Sequence, residues 1–247
     1  MANELALKAT NLTRMFGDFT AVDHITFEVA KGEIFGFLGA NGAGKTTAMR
    51  MLTGLLIPTE GEATVAGYDV YDDPEQIKKQ IGYMSQKFSL YEDLTVRENI
   101  RLYGGIYGLS DSEIEQKSED LVARLDMQEL QDKKIGSLPL GWKQKLAFSV
   151  ALIHDPKIVF LDEPTGGVDP ITRRQFWEQI YKVANEGTTV FVTTHYMDEA
   201  EYCDRVSIMV DGRIDALDTP AGLKQKFNAE DIEEVFITLA RGAKRSE

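Results

Sequence analysis

The chain is short of cysteine, of basic residues and of long apolar runs, and each shortage excludes something. Cys203 is the only cysteine among 247 residues. No disulfide can close within the chain, so a reducing compartment is the expectation. Cys203 itself reads as a small packed residue. Lysine and arginine number 27 against 40 aspartates and glutamates, a net charge of −13. That balance weighs against a nucleic-acid binder with a broad basic face. It also disfavours simple adhesion to an anionic membrane. No apolar run approaches the ~20 residues that span a bilayer. Met1-Ala2-Asn3-Glu4-Leu5 lacks the basic and apolar regions of a signal peptide. Low-complexity segments and internal repeats are missing as well. The hydrophobic share, 43%, is that of a globular chain with a sizeable core. The length suits one large domain or two small ones.

What is present centres on Gly39-Ala40-Asn41-Gly42-Ala43-Gly44-Lys45-Thr46-Thr47. This stretch fits G-x-x-x-x-G-K-[ST], a phosphate-binding loop. Ile34 to Leu38 before it reads as a buried strand. Ala48 to Leu52 after it reads as a helix with Gly54 as its stop. Glycines let the backbone curl so that successive N–H groups point at phosphate oxygens. The helix adds its positive dipole end. Lys45 supplies a full charge to the β- and γ-phosphates, Thr46 a hydroxyl for Mg²⁺, and Thr47 a reach to the α-phosphate.

Residues 5–9 and 25–29 read as strands, with Arg14 to Asp18 between them. Phe16 could stack on a purine; taken alone, a core position is the better reading. Ala63 to Gly67 is a further β segment, and together these predict a small antiparallel sheet beside the nucleotide core. Ile81 to Met84 reads as a buried strand ending at Ser85-Gln86. From Leu90 to about His154 helical patterns dominate. Thr95-Val96-Arg97-Glu98 and Ser110-Asp111-Ser112-Glu113 are capping signals, and Leu138 to Ile153 is a third long helix. This segment, about 88–155, is expected to be a helical insertion in an α/β core.

The strand pattern returns at Ile158-Val159-Phe160-Leu161, followed by Asp162-Glu163. Carboxylates at the carboxyl end of a parallel strand sit where such sheets bind ligands. Asp162 is placed to hold Mg²⁺ and Glu163 to polarise a water. Asp169-Pro170 opens a helix that runs to about Glu186. Thr188 to Thr193 is a β-branched strand with His195 beyond its carboxyl end. His24 and His154 lack such a setting and read as structural. Asp211-Gly212 joins two strands in a hairpin. Beyond Thr219-Pro220 come a short helix, a strand-like run at Val235-Phe236-Ile237, and a polar tail, 241–247, expected to fray.

In this order the motifs closely resemble those of the ATP-binding subunits of ABC transporters, over about residues 5 to 240. The resemblance implies a P-loop NTPase fold of the α/β class, with a mixed or parallel sheet, an antiparallel β subdomain and a helical subdomain. It implies ATP and Mg²⁺ as cofactors. Gln86 would be the Q-loop glutamine that contacts Mg²⁺ and the attacking water, Glu163 the catalytic base, Asp169 the D-loop aspartate and His195 the switch histidine. Lys45 would join them in catalysis, and Phe16 becomes the adenine-stacking aromatic. Val210 to Ile214 with Asp218-Thr219-Pro220 resembles the bacterial drug-exporter branch. There the ATPase is a separate polypeptide on the cytoplasmic face of the inner membrane, held by an integral permease. The implied partners are that permease and a second ATP-binding subunit, identical or homologous, and no nucleic acid. The permease would dock in a groove between the helical segment and the Gln86 loop, with residues 87–100 as its surface.

Two positions depart from the family pattern. The signature segment, usually Leu-Ser-Gly-Gly-x-x-Gln, reads Leu138-Pro139-Leu140-Gly141-Trp142-Lys143-Gln144. Pro139 lacks the serine hydroxyl and the backbone N–H, leaving Gly141 and the helix N-terminus for the γ-phosphate of ATP held by the opposite subunit. Gly166 replaces the usual serine in the loop before Asp169. Neither change removes the base, the metal ligand or the histidine, so the expectation is an active ATPase. The rivals are a soluble ABC-type ATPase with a non-transport partner, a small-molecule kinase, and a nucleotide sensor with weak hydrolysis. Tandem ATPase domains or coiled-coil insertions would favour the first; a phosphate acceptor would favour the second.

Overall fold

The computed structural model describes residues 4–86 and 90–241. The expectations for the polar tail past Arg241 and for docking residues 87–89 fall outside the described residues. Two sheets form the frame. One is antiparallel, in the order β2 (Phe19–Ala30), β1 (Leu5–Phe16), β4 (Glu60–Val65), β5 (Tyr68–Asp69). The other has six strands. Its order is β10 (Arg213–Asp218), β9 (Arg205–Val210), β3 (Ile34–Gly39), β8 (Thr189–Thr194), β7 (Ile158–Asp162) and β6 (Ile81–Met84). From β9 to β6 the pairs are parallel, and β10 closes one edge antiparallel.

Alternation along the central strands separates two cores. Phe35 and Phe37 of β3, Phe160 of β7 and Phe191 of β8 face the antiparallel sheet. There Phe27 meets Phe35 at 5.5 Å and Phe191 at 6.2 Å between ring centroids, and Phe191 meets Phe37 at 5.3 Å and Phe160 at 5.2 Å, an aromatic cluster of large buried area. Helix α1 (Lys45–Leu52) adds Met49, Met51 and Leu52 to the same core. Ile34, Leu38, Val159, Leu161, Val190 and Val192 point the other way. They meet helices α5 (Leu140–Ala151) and α6 (Pro170–Asn185) through Leu146, Phe148, Phe176 and Trp177.

Helix α2 (Pro74–Gln80) precedes β6 and was not marked by the sequence pattern. Helices α3 (Val96–Ile106) and α4 (Asp111–Arg124) start at Thr95 and Ser110 with complete capping boxes. Ile114, Leu121 and Val122 form the buried face of α4. The third helix begins at Leu140, not Leu138, because Pro139 takes the N-cap in extended backbone.

One expectation is corrected. The strand-like run Val235-Phe236-Ile237 lies within helix α8 (Ile232–Ala240). Asp231 caps it by accepting from the Glu234 N–H, and Ile232 and Val235 bury one face at helical spacing. Helix α7 (Pro220–Phe227) packs beside it, so tertiary contact overrides the β-branched preference. Phe16 stands outside the core, against the reading of that residue taken alone. The first two strands extend to a tight turn in which Phe16 pairs with Phe19, and both rings are about half exposed. Cys203 is buried, packed under Gly36, where an added Cβ would lie 2.8 Å from the Cys203 Sγ.

Candidate functional site

The carboxyl ends of β3, β7 and β8 converge because their register sets Asp162 beside Thr193 and Leu38 beside Thr194. Gly39 ends β3 and the loop turns back into α1. Gly44 sits at the N-cap with φ +107°, and an added Cβ there would lie 2.5 Å from the Ala21 carbonyl. No side chain caps α1. Its first N–H groups and dipole are therefore available to an anion. Asn41, Gly42 and Ala43 make the turn, and the Ala43 N–H donates to the Ala40 carbonyl at 3.2 Å.

Lys45 is buried. Its Nζ donates to the carbonyls of Gly39 at 2.7 Å and Ala40 at 3.1 Å, and lies 3.7 Å from Glu163 Oε1. Burial pulls the ammonium pKa down, and the neighbouring Glu163 and Asp162 carboxylates oppose that shift. Asp162 is also buried. It accepts from the Thr193 hydroxyl at 2.6 Å and from the Thr46 hydroxyl at 3.3 Å. Desolvation raises its pKa, and these two hydroxyls work against the rise.

Glu163 has φ +50°, a left-handed conformation costing a non-glycine residue on the order of 1–3 kcal/mol. The end of β8 holds it there: the Glu163 N–H donates to both the Thr193 carbonyl and the Thr193 hydroxyl at 3.1 Å. The side chain then meets three sequence-predicted residues at once. Gln86 Nε2 donates to Glu163 Oε2 at 2.8 Å. His195 Nδ1 lies 3.0 Å from the same oxygen, outside hydrogen-bond geometry. Lys45 lies beyond Oε1. A carboxylate with a directed amide, an adjacent imidazole and a nearby ammonium is suited to orienting a water.

Gly141 and Asp169 are brought together elsewhere. They line a cleft of about 430 Å³ with Pro139, Trp142, Lys145 and Thr172, and no phosphate-loop residue lines it. Asp169 caps α6, accepting from the N–H groups of Ile171 and Thr172. An added Cβ on Gly141 would lie 2.9 Å from Thr172 Cγ2. Gln144 links this region to the loop after Glu163: its Nε2 donates to the Gly166 carbonyl at 3.1 Å. Phe16 stands on the β1–β2 turn with the Arg14 guanidinium 4.7 Å over its ring.

Sequence reasoning missed Thr193, Gln144 as a link, and a buried group made of Thr165, Arg173 and Glu199. Thr193 was legible only as a strand residue, since its contact with Asp162 depends on strand register. Glu199 lies in the run around His195, but nothing in the pattern marks it as buried.

Residues 22–166 match the family model described as "ABC transporter". The chain belongs to the ABC transporter family. Over 241 residues this cassette is 47% identical to YbhF of Escherichia coli, described as a probable multidrug ABC transporter ATP-binding protein. That match covers 96% of this chain but 42% of the relative, so the cassette spans less than half of that protein's length. Among solved structures, an ATP-binding subunit of an ABC transporter superposes with a TM-score of 0.85 at 29% identity. It covers 95% of this chain and 99% of its own. A dimeric cassette, MJ0796, bound to ADP and Pi superposes with a TM-score of 0.77 at 26% identity, covering 86% and 98%. The α/β fold of an ABC ATPase is thus shared along nearly the whole chain. Among the described residues no helix is long and apolar enough to cross a membrane.

Proposed function

We propose that this cassette binds and hydrolyses ATP, and that closure and opening of a cassette dimer drives export through a separate membrane permease. The observation that carries the reading is Glu163 held among Lys45, Gln86 and His195 beside an uncapped helix N-terminus. The loop from Gly39 to Thr47 receives the phosphates. Lys45 sets its charge against the β- and γ-phosphates, and Thr47 reaches the α-phosphate. Phe16 stacks on the adenine, and its half-exposed ring on the hairpin turn supports that role. Glu163 orients the attacking water, Gln86 holds Glu163 and the water in line, and His195 contacts the γ-phosphate.

Mg²⁺ fits the donor set. Thr46 and Asp162 offer neighbouring oxygens, and Gln86 keeps its amide oxygen while its Nε2 serves Glu163. Hard cations of this size favour such oxygens together with substrate phosphates. Among the described residues no three His, Cys, Asp or Glu side chains form a metal cage, consistent with phosphate completing the shell. Bound there, the ion neutralises charge that develops on the phosphates.

Gly141 and Asp169 reach the ATP of a second cassette, bound head to tail, which accounts for their separate cleft. The dimer seen for MJ0796 supports that arrangement. The name of the E. coli relative supports drug export. The cassette spans about 5–240 and works at the cytoplasmic face of the inner membrane. The α3–α5 segment and the Gln86 loop form the permease groove. Recovery of a hydrophobic permease with the tagged chain from detergent-solubilised membranes is the test. Recovery of ribosomal or DNA-repair proteins in its place overturns the export reading.

A further inference from the structure

The mechanism leaves the fully buried acid Glu199 unused. Glu199 has no exposed surface and sits in the short helical turn Met197–Tyr202 that follows His195. Its Oε1 accepts from the Thr165 hydroxyl, and Thr165 is itself buried in the loop between Glu163 and Asp169. Arg173 of α6 brings Nε to 3.6 Å from the same oxygen, and its Nη1 donates to Asp198 at 3.4 Å. The Arg173 guanidinium also lies 4.2 Å over the Tyr196 ring, and Tyr196 packs against His195 with centroids 4.2 Å apart. The Arg173 N–H donates to the Asp169 carbonyl at 3.0 Å. One carboxylate thus joins three pieces of chain: the His195 segment, the Glu163–Asp169 loop and the capped start of α6.

A buried acid is costly unless its partners hold it. Burial here is bought with Thr165 and Arg173, while Oε2 has no protein partner. Removing the Thr165 hydroxyl cuts the tie between Glu199 and the Glu163–Asp169 loop, while the Gln144 bond to the Gly166 carbonyl stays in place. We propose that Glu199 is a positioning residue, which through Thr165 and Arg173 makes the His195 segment and the Glu163–Asp169 loop move as one body. The inference rests on the reading of Glu163 and His195 as hydrolytic groups. It deepens that reading by assigning how the dimer-facing Asp169 is coupled to them.

The test uses the full purified chain, its ATP turnover, and its affinity for a fluorescent ATP analogue. Thr165→Val keeps shape and deletes the hydroxyl. Because small displacements of a catalytic group cost up to ~10²-fold, we expect kcat to fall about tenfold, with KM and nucleotide affinity within about twofold of wild type. Thr165→Ser restores kcat to within about twofold. Glu199→Gln falls to a similar level, and the double variant is no worse than the poorer single one, the mark of groups acting as a unit. A merely structural role predicts different behaviour: serine fails to rescue, or kcat follows the fraction folded. Glu163→Gln separates the two readings. If wild type turns over no ATP, or Glu163→Gln leaves turnover intact, the hydrolytic reading fails and takes this inference with it. If both behave as expected while Thr165→Val runs at wild-type kcat, or the two substitutions multiply, this inference alone is overturned.

Discussion

Lys45, Thr46, Asp162 and Glu163 are tied to one another and to β8 inside the chain. Gly141 and Asp169 instead line an open cleft with Pro139, and their hydrogen bonds serve only their own helices. The first region is finished by folding, at the cost of buried charge and a strained backbone at Glu163. On the proposed reading, the second is completed by a second cassette. Substitutions in the first should therefore damage chemistry or stability directly. Substitutions in the second should act on affinity between copies. The sharpest break is Glu163→Gln. It removes the carboxylate proposed as the base but keeps an acceptor for Gln86, so kcat is expected to fall about 10²–10³-fold while nucleotide affinity stays within about threefold. Phosphate release and analogue binding measure the two separately. A parallel loss of binding would show that Glu163 acts by organising Lys45, not by activating water.

Gly44→Ala attacks the same region through the backbone. The added Cβ would meet the Ala21 carbonyl at 2.5 Å and Met209 Cε at 2.9 Å, at φ +107°. Strain and overpacking together are expected to cost about 2–4 kcal/mol, read as a fall in Tm of roughly 5–12 °C. Gly42→Ala is the control. Its φ is +81°, but nothing lies within 4 Å of an added Cβ, so only about 1 kcal/mol of strain is expected. Equal losses at the two positions would mean that close approach to β2 and β9 is not what Gly44 provides.

The cleft region should respond in the opposite sense. Pro139 holds φ −57° and ψ 149° at the N-cap of α5, with no side-chain cap. A serine fits that backbone unstrained and supplies a capping oxygen. Pro139→Ser is expected to add about 1 kcal/mol of stability. It should also tighten ATP-dependent self-association by roughly three- to tenfold through an added phosphate hydrogen bond. Sedimentation with the Glu163→Gln background measures the second effect. An increase in Tm with no change in association would place α5 away from the nucleotide.

The division between the two regions also explains what was legible in the sequence. The phosphate loop announces itself because chemistry demands glycines, a lysine and a hydroxyl at fixed spacing along one strand–loop–helix unit. Glu163 and His195 were legible as strand-end residues for the same local reason. The hydrogen bond from Thr193 to Asp162 was not, because it joins residues 31 positions apart through strand register. Glu199 and Thr165 were hidden in the same way, being 34 positions apart. Phe16 taken alone looks like core, because an aromatic between two strands fits there until the hairpin turn is placed; only the family resemblance pointed away from it. Val235 to Ile237 misled because β-branched residues fit a helix whose face is covered by α7 and the turn after His195.

The smallest effect sits at the seam between the helical segment and the core. Tyr107, at the end of α3, stacks on His154 with centroids 3.8 Å apart, and His154 Nε2 lies 3.0 Å from the Ile81 carbonyl of β6, the strand that leads to Gln86. Nδ1 has no partner. Burial holds the imidazole pKa below its ordinary value, and the Ile81 carbonyl and Asp155 only partly offset it. In the window between that lowered pKa and about 6.5, the unfolded chain binds a proton that the folded chain does not. Stability is therefore full above about pH 6.5 and falls as pH drops toward the folded pKa. His154→Gln removes this contribution and leaves a flatter curve, though a lower one, because the ring stack is lost. Urea unfolding of both proteins at several pH values between about 7 and 5 reads the difference in slope. Parallel curves would mean that the imidazole protonates as readily in the fold as out of it, and that the seam between the two regions is wetter than its packing implies.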